Sequence, residues 1–316
     1  MKQQKVIVVT GASSGIGEAT VRLFAQRGWC VVLAARSTEK IKAIAQEIEQ
    51  AGGEALALTT DVTVYEDLKA LVQLTAERFG RIDVLVNNAG RGMVGAVAEL
   101  DLAQLEQLFR LNLFAPVAAL QAVVPLMRQQ EGGVIINVSS MIENIAVPFM
   151  SAYAASKIAL SYMTDAARAE LDHANIAVIN MLPGSTDTAF YENTAYAGSG
   201  GDFDLQKILN RNGEGPYSGS AAPDKVAEAI WQAVEAQPRQ QYVSTQERVV
   251  GTLVRHVPAA LNNIFRIALN RYAPRTNGDE APASLSHDLQ RAAIVAGGVA
   301  VATTFLGVQT ARHSSH

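Results

Sequence analysis

The chain has 316 residues, 49% of them hydrophobic and 18% charged, which is a globular composition rather than a disordered or fibrous one. Its formal net charge of -4 and pI near 5.8 give no global basic signature for nucleic acid. The single cysteine, Cys30, excludes an intrachain disulfide and a cysteine-based metal site, and the five histidines show no ligand spacing.

Apolar runs alternate with helical patterns from the N-terminus. Strands are predicted over 5–10, 30–35, 55–60, 82–86, 133–138, 176–181 and 241–244. Helices are predicted over 16–27, 38–51, 64–79, 101–129, 152–173 and 223–236. The strands are nearly all apolar, as expected when helices cover both faces of a parallel sheet. The fold expected is α/β: a doubly wound Rossmann fold with a mostly parallel seven-stranded sheet and a helical C-terminal extension. Residues 1–245 would form the Rossmann domain. Within it, 189–222 is a Gly-, Ser- and Asn-rich insertion with one helical patch at Phe203–Leu209, read as a substrate lid or loop.

The first strand runs into Thr10-Gly11-Ala12-Ser13-Ser14-Gly15-Ile16-Gly17, which opens a helix. Glycines there permit a tight turn and close approach of a pyrophosphate, and the helix start supplies free N–H groups. The second strand ends Ala34-Ala35-Arg36-Ser37 without the carboxylate that an NAD site uses on the ribose 2′-hydroxyl. Arg36 suits a 2′-phosphate instead, with Ser13 and Ser37 adding hydroxyl contacts, so NADP(H) is the expected cofactor.

Tyr153 and Lys157 lie four apart on one predicted helix face. An ammonium beside a phenol favours the phenolate and tunes it as an acid/base for a carbonyl oxygen. Ser140 ends the fifth strand and precedes Tyr153 by 13 residues, and Asn87-Asn88-Ala89-Gly90 closes the fourth at the same sheet edge. Ser139 stands next to Ser140; the spacing favours Ser140.

These motifs resemble the compact branch of the short-chain dehydrogenase/reductase family over roughly residues 5–245. The resemblance implies a catalytic tetrad of Asn112, Ser140, Tyr153 and Lys157. Tyr153 would be the general acid/base, Lys157 its pKa tuner and a ribose ligand, Ser140 the substrate orienter, and Asn112 the holder of a relay water. It also implies a cofactor site at Gly11, Ser13, Ser14, Gly15, Ile16, Gly17, Arg36, Asp61, Val62, Asn88, Ala89, Gly90, Tyr153, Lys157, Pro183, Gly184 and Thr188. Asp61 would meet the adenine and Thr188 the carboxamide. Thr186 departs from the family, which usually has Val or Ile there.

The expected activity is reversible hydride transfer between NADP(H) and a ketone or aldehyde. Met141, Ile142, Phe149, Met150, Phe190 and Tyr191 would form an apolar substrate wall, which points to a lipophilic small molecule. The alternative is a non-catalytic NADPH-binding scaffold or sensor. An enoyl reductase is disfavoured by the four-residue Tyr-to-Lys spacing. A homo-oligomer is expected, without nucleic acid and without metal. Residues 246–278 read as a basic amphipathic extension, since 239–275 hold six arginines against Glu247 alone. A polar linker follows from 279, and residues 292–311 carry no charge, long enough to reach across a bilayer. Cytoplasmic placement, with membrane attachment through this tail or an ordinary packed helix, is the corresponding expectation.

Overall fold

A computed structural model describes residues 4–186, 194–196, 221–258, 262–263 and 265–267. Seven strands build one sheet: β1 (Val6–Thr10), β2 (Cys30–Ala35), β3 (Glu54–Thr59), β4 (Val84–Asn87), β6 (Gly133–Val138), β7 (Ile176–Leu182) and β9 (Gln240–Tyr242). Their order is β3-β2-β1-β4-β6-β7-β9 and every pairing is parallel. A parallel sheet needs crossovers, and helices supply them.

The pleat explains the apolar runs. Ile7 and Val9 of β1 point into one core; Val6 and Val8 point into the other. The first core is closed by α1 (Gly15–Gln26), α2 (Thr38–Gln50) and α7 (Pro223–Ala236). The second is closed by α3 (Tyr65–Phe79), α5 (Ala115–Gln129) and the end of α6 (Ser151–Leu171). Strands covered on both faces must be apolar at every position, not at alternate ones. Phe24, Trp29 and Trp231 tie α1 to α7, with ring centroids 5.1–5.9 Å apart.

The strand order reverses between β1 and β4. Chain leaving β1 goes one way across the sheet and chain leaving β4 the other, so a crevice opens at the C-terminal ends of the strands. The turn after β1, Arg36, Asp61, Asn88–Gly90, Ser140 and Pro183-Gly184 sit on that edge.

Three features differ from the sequence reading. The predicted helix 101–129 is three pieces: α4 (Leu102–Phe109), a π-helical turn at Arg110–Phe114, and α5. A small second sheet pairs β5 (Met93–Val94) with β8 (Ala195–Tyr196) in parallel. The last predicted strand is shorter, because Ser244 leaves it to cap α8 (Thr245–His256). Ser244 Oγ accepts the Glu247 N–H at 3.1 Å, while the Glu247 carboxylate accepts the Val243 N–H at 3.1 Å. The helical patch at 203–209 and the apolar run 292–311 lie outside the described residues.

Candidate active site

The turn Gly11–Gly17 is shaped by glycine at two levels. Gly11 and Gly15 adopt φ of 66° and 56°, the left-handed region. Gly17 is required by contact: a Cβ there would lie 2.3 Å from the Gly11 carbonyl oxygen and 2.7 Å from Asn88 Nδ2. Asn88 Nδ2 donates to the carbonyls of Thr10 and Gly11 at 3.0 and 3.2 Å, and Thr10 Oγ1 accepts from the N–H groups of Asn88 and Ala89. The loops after β1 and β4 are thus laced together. Ser14, the N-cap of α1, makes no side-chain capping bond, which leaves the first-turn N–H groups facing the crevice. Gly17→Ala is expected to lower the melting temperature by about 4–10 °C. It should also weaken NADPH binding, read by thermal shift and fluorescence titration.

A continuous cleft of about 1130 Å³ runs from this loop across the sheet edge. It is lined by Gly11, Ser13, Ser14, Gly15, Ile16, Arg36, Asp61, Val62, Asn88, Ala89, Gly90, Ser140, Tyr153, Lys157, Pro183 and Gly184. These are sixteen positions of the sequence reading. Gly17 lies behind the turn and Asn112 behind Gly90. Thr188, Phe190 and Tyr191 lie outside the described residues. Of the predicted apolar wall, Met141, Ile142 and Met150 line the cleft, together with Ile145 and Val147. Phe149 stands beside them with φ of 66°, a strained conformation for a non-glycine, and its carbonyl accepts the Gly95 N–H at 2.8 Å.

At one end of the cleft, Arg36 and Lys40 flank the tip of β2. Asp61 accepts the Thr63 N–H at 2.9 Å and its hydroxyl at 2.7 Å. Burial pushes the Asp61 carboxyl up; the Thr63 bonds and the Arg36 charge outweigh this and hold it below the usual range.

At the other end, α6 delivers Tyr153 and Lys157 on one face, both buried. Lys157 Nζ lies 5.9 Å from the Tyr153 ring centroid and donates to the Val138 carbonyl at 2.8 Å. Burial drives the ammonium down to about 8; the Glu143 charge works against that fall. Asn112, fully buried on the π-turn, grips the backbone of Arg91: Nδ2 donates to its carbonyl at 2.9 Å and Oδ1 accepts its N–H at 3.1 Å. Nδ2 also donates to Ser156 Oγ at 3.0 Å. A Cβ on Gly90 would lie 3.2 Å from Asn112 Oδ1 and 3.5 Å from Lys157 Nζ, so Gly90 separates them.

The two serines differ in what their hydroxyls do. Ser139 Oγ is buried and donates to Glu143 at 2.6 Å. Ser140 Oγ accepts from the Ile142 N–H at 3.3 Å, which leaves its own proton to donate into the cleft. This division favours Ser140 on chemical grounds.

Sequence reasoning missed Lys40, Arg91, Arg110 and Glu247 in the cleft wall. Lys40 follows Arg36 by four residues across the start of α2, and Glu247 completes a Ser-x-x-Glu capping box, so both had a readable local signal.

The profile of the short chain dehydrogenase family matches residues 5–197. An uncharacterized oxidoreductase of Bacillus subtilis, YxnA, is 32% identical over 257 residues, 79% of this chain and 68% of that protein. A metagenomic short-chain oxidoreductase solved with NADP is 32% identical, with a TM-score of 0.60 over 75% of this chain and 95% of that one. A 7α-hydroxysteroid dehydrogenase, solved with NADH and 7-oxo glycochenodeoxycholic acid, is 29% identical, with a TM-score of 0.65 over 75% of this chain and 91% of that one. With the parallel sheet, the glycine-built turn and the Tyr-Lys helix already in place, these matches make the chain a member of the short-chain dehydrogenase family of oxidoreductases.

Proposed function

We propose that the protein is an NADP(H)-dependent oxidoreductase that interconverts a lipophilic ketone or aldehyde with its alcohol. The observation that carries this reading is one cleft holding a buried Tyr153-Lys157 pair and Ser140 at one end and Arg36 with Lys40 at the other.

The residues fit a bound dinucleotide. A glycine-built turn and free first-turn N–H groups suit a pyrophosphate, and two cations without a carboxylate at the tip of β2 suit a 2′-phosphate. When bound, the nicotinamide supplies or accepts the hydride. The remaining work falls to side chains. Ser140 donates a hydrogen bond to the carbonyl oxygen and orients it. Tyr153 delivers the proton to that oxygen in reduction and removes it in oxidation. Lys157, held by the Val138 carbonyl, places a positive charge beside the phenol and favours its ionised form. Asn112 acts as a positioning residue, because its amide is occupied in fixing Arg91 and Ser156. The apolar wall of Met141, Ile142, Ile145, Val147 and Met150 supports a lipophilic substrate, and the steroid held by one solved relative is of that class.

A pH dependence follows from Lys157. Its ammonium is present below about pH 8 and is lost above it. Without that ammonium the phenol is a weaker acid, so kcat/KM for reduction should be level at neutral pH and fall as pH rises through about 8. A rate that climbs through that range would contradict the assignment. The reading as a whole is tested by NADPH consumption over steroid, lipid, quinone and sugar carbonyls: turnover of at least one class is expected. NADPH binding with no turnover of any class would favour a non-catalytic role.

A further inference from the structure

A carboxylate stands directly behind the Ser140 end of the cleft. Glu143 lies on the short turn Met141–Asn144 that Ser140 itself caps. Its side chain is only 5% exposed. Oε2 accepts from the hydroxyls of Ser139 and Ser161 at 2.6 and 2.5 Å. Oε1 pairs with Arg255 Nη2 at 3.1 Å. Ser139 Oγ also lies 3.2 Å from the Lys157 carbonyl, so the cluster reaches the backbone of the reacting helix.

Arg255 comes from the end of α8, 112 residues away in sequence, and its Nε also bonds the Asn144 side chain. The start of α8 touches the cleft wall beside that turn, at Gly184. There Glu247 takes hydrogen bonds from the N–H groups of Val243, Ser244 and Gly184, and it lines the cleft. A buried carboxylate is costly unless paired, and a carboxylate used only for packing is replaceable by an apolar side chain. Glu143 is instead placed where its charge and its bonds both act on the site.

We propose that Glu143 and Arg255 are positioning residues for the Ser140, Tyr153 and Lys157 centre: Glu143 fixes the turn that carries Ser140 and sets a negative charge behind Lys157, and Arg255 holds Glu143 there from α8. The inference rests on the function proposed above. The groups facing Glu143 are Ser139 from the end of β6, Ser161, Lys157 and Asp165 from α6, Arg255 from α8 and Tyr242 from β9. Burial raises the Glu143 carboxyl; the two serines and Arg255 oppose the rise, and Asp165 adds to it. Glu143 in turn supports the Lys157 ammonium against its burial.

The direction of change is therefore fixed. Glu143→Gln removes the negative charge at nearly constant shape, and Lys157 should lose its proton at lower pH. Arg255→Ala removes the tether that holds Glu143 from α8, so it should act on kcat through the turn that carries Ser140, whereas Arg255→Lys should restore most of that kcat. Lysine-selective 13C NMR of the ligand-free protein reads the Lys157 midpoint without any turnover. It is expected near 8 in the wild type, and lower by about half a unit or more in Glu143→Gln. The high-pH limb of kcat/KM should move with it. At neutral pH kcat should fall about tenfold with NADPH affinity within about twofold of wild type. A Lys157 midpoint unmoved in Glu143→Gln would overturn the inference, whatever the melting temperatures do. Failure of the functional reading shows separately, as wild-type protein that turns over no carbonyl.

Discussion

Tyr153→Phe should reduce kcat for carbonyl reduction by about 10³–10⁴-fold while NADPH still binds with an affinity within about twofold of wild type. Phenylalanine keeps the ring and its packing at a position that is 7% exposed, so the fold should not respond. What is lost is the one hydroxyl that can exchange a proton with the substrate oxygen while Lys157 stands beside it. Ser140 offers a hydrogen bond but lacks an adjacent ammonium to make it an acid/base at neutral pH. Rapid-mixing assays with matched NADPH titrations separate the two effects. Retained turnover would remove Tyr153 from the chemistry. A parallel loss of turnover and NADPH affinity would point to a structural role.

Arg36→Asp should shift the ratio of kcat/KM for NADPH over NADH by about 10²–10³-fold toward NADH. The substitution acts twice. It removes the planar cation that would meet a 2′-phosphate, and it places a carboxylate where a ribose 2′-hydroxyl would be accepted. Arg36 also helps keep Asp61 ionised, so the new acid adds negative charge to a neighbour that is already a carboxylate. Lys40 remains on the cleft and should leave some residual NADPH use. Paired steady-state measurements with the two cofactors decide it; an unchanged ratio would take Arg36 out of the 2′-phosphate site.

Much of this was legible in the sequence because each motif sits where a strand ends. Cys30–Ala35, Gly133–Val138 and Pro223–Ala236 were readable to the residue, since apolar runs and a proline at the first helical turn mark sharp edges. The fourth strand was shifted. Ile82 is fully buried without belonging to it, and polar Asn87 extends it by bonding Asn137 at 2.8 Å on the neighbouring strand. The π-turn left only polar Asn112 as a mark of a broken helix, because one inserted residue barely alters an apolar pattern of period 3.6. Two-residue strands such as Met93–Val94 are too short to show a period at all.

The site divides in the same way. The glycine loop, Arg36, Ser140, Tyr153 and Lys157 announce themselves through short spacing and position. Glu143 and Arg255 do not, because their meaning comes from contacts made across the fold. Arg255 looked like one of six arginines on an amphipathic stretch, yet its exposed guanidinium pairs with a buried acid. Glu247, the single acid of that stretch, reaches the loop at Gly184.

The central claim is that a hydride passes between NADPH and a carbonyl held at Tyr153. The most direct measurement is the isotopic content of the alcohol formed with NADPH carrying deuterium at C4 of the nicotinamide. With one stereospecific label, wild-type protein should yield product with one deuterium on the former carbonyl carbon, and Tyr153→Phe should yield almost none. Product free of deuterium with both C4 epimers of the labelled cofactor, or formed equally well by Tyr153→Phe, would contradict the account.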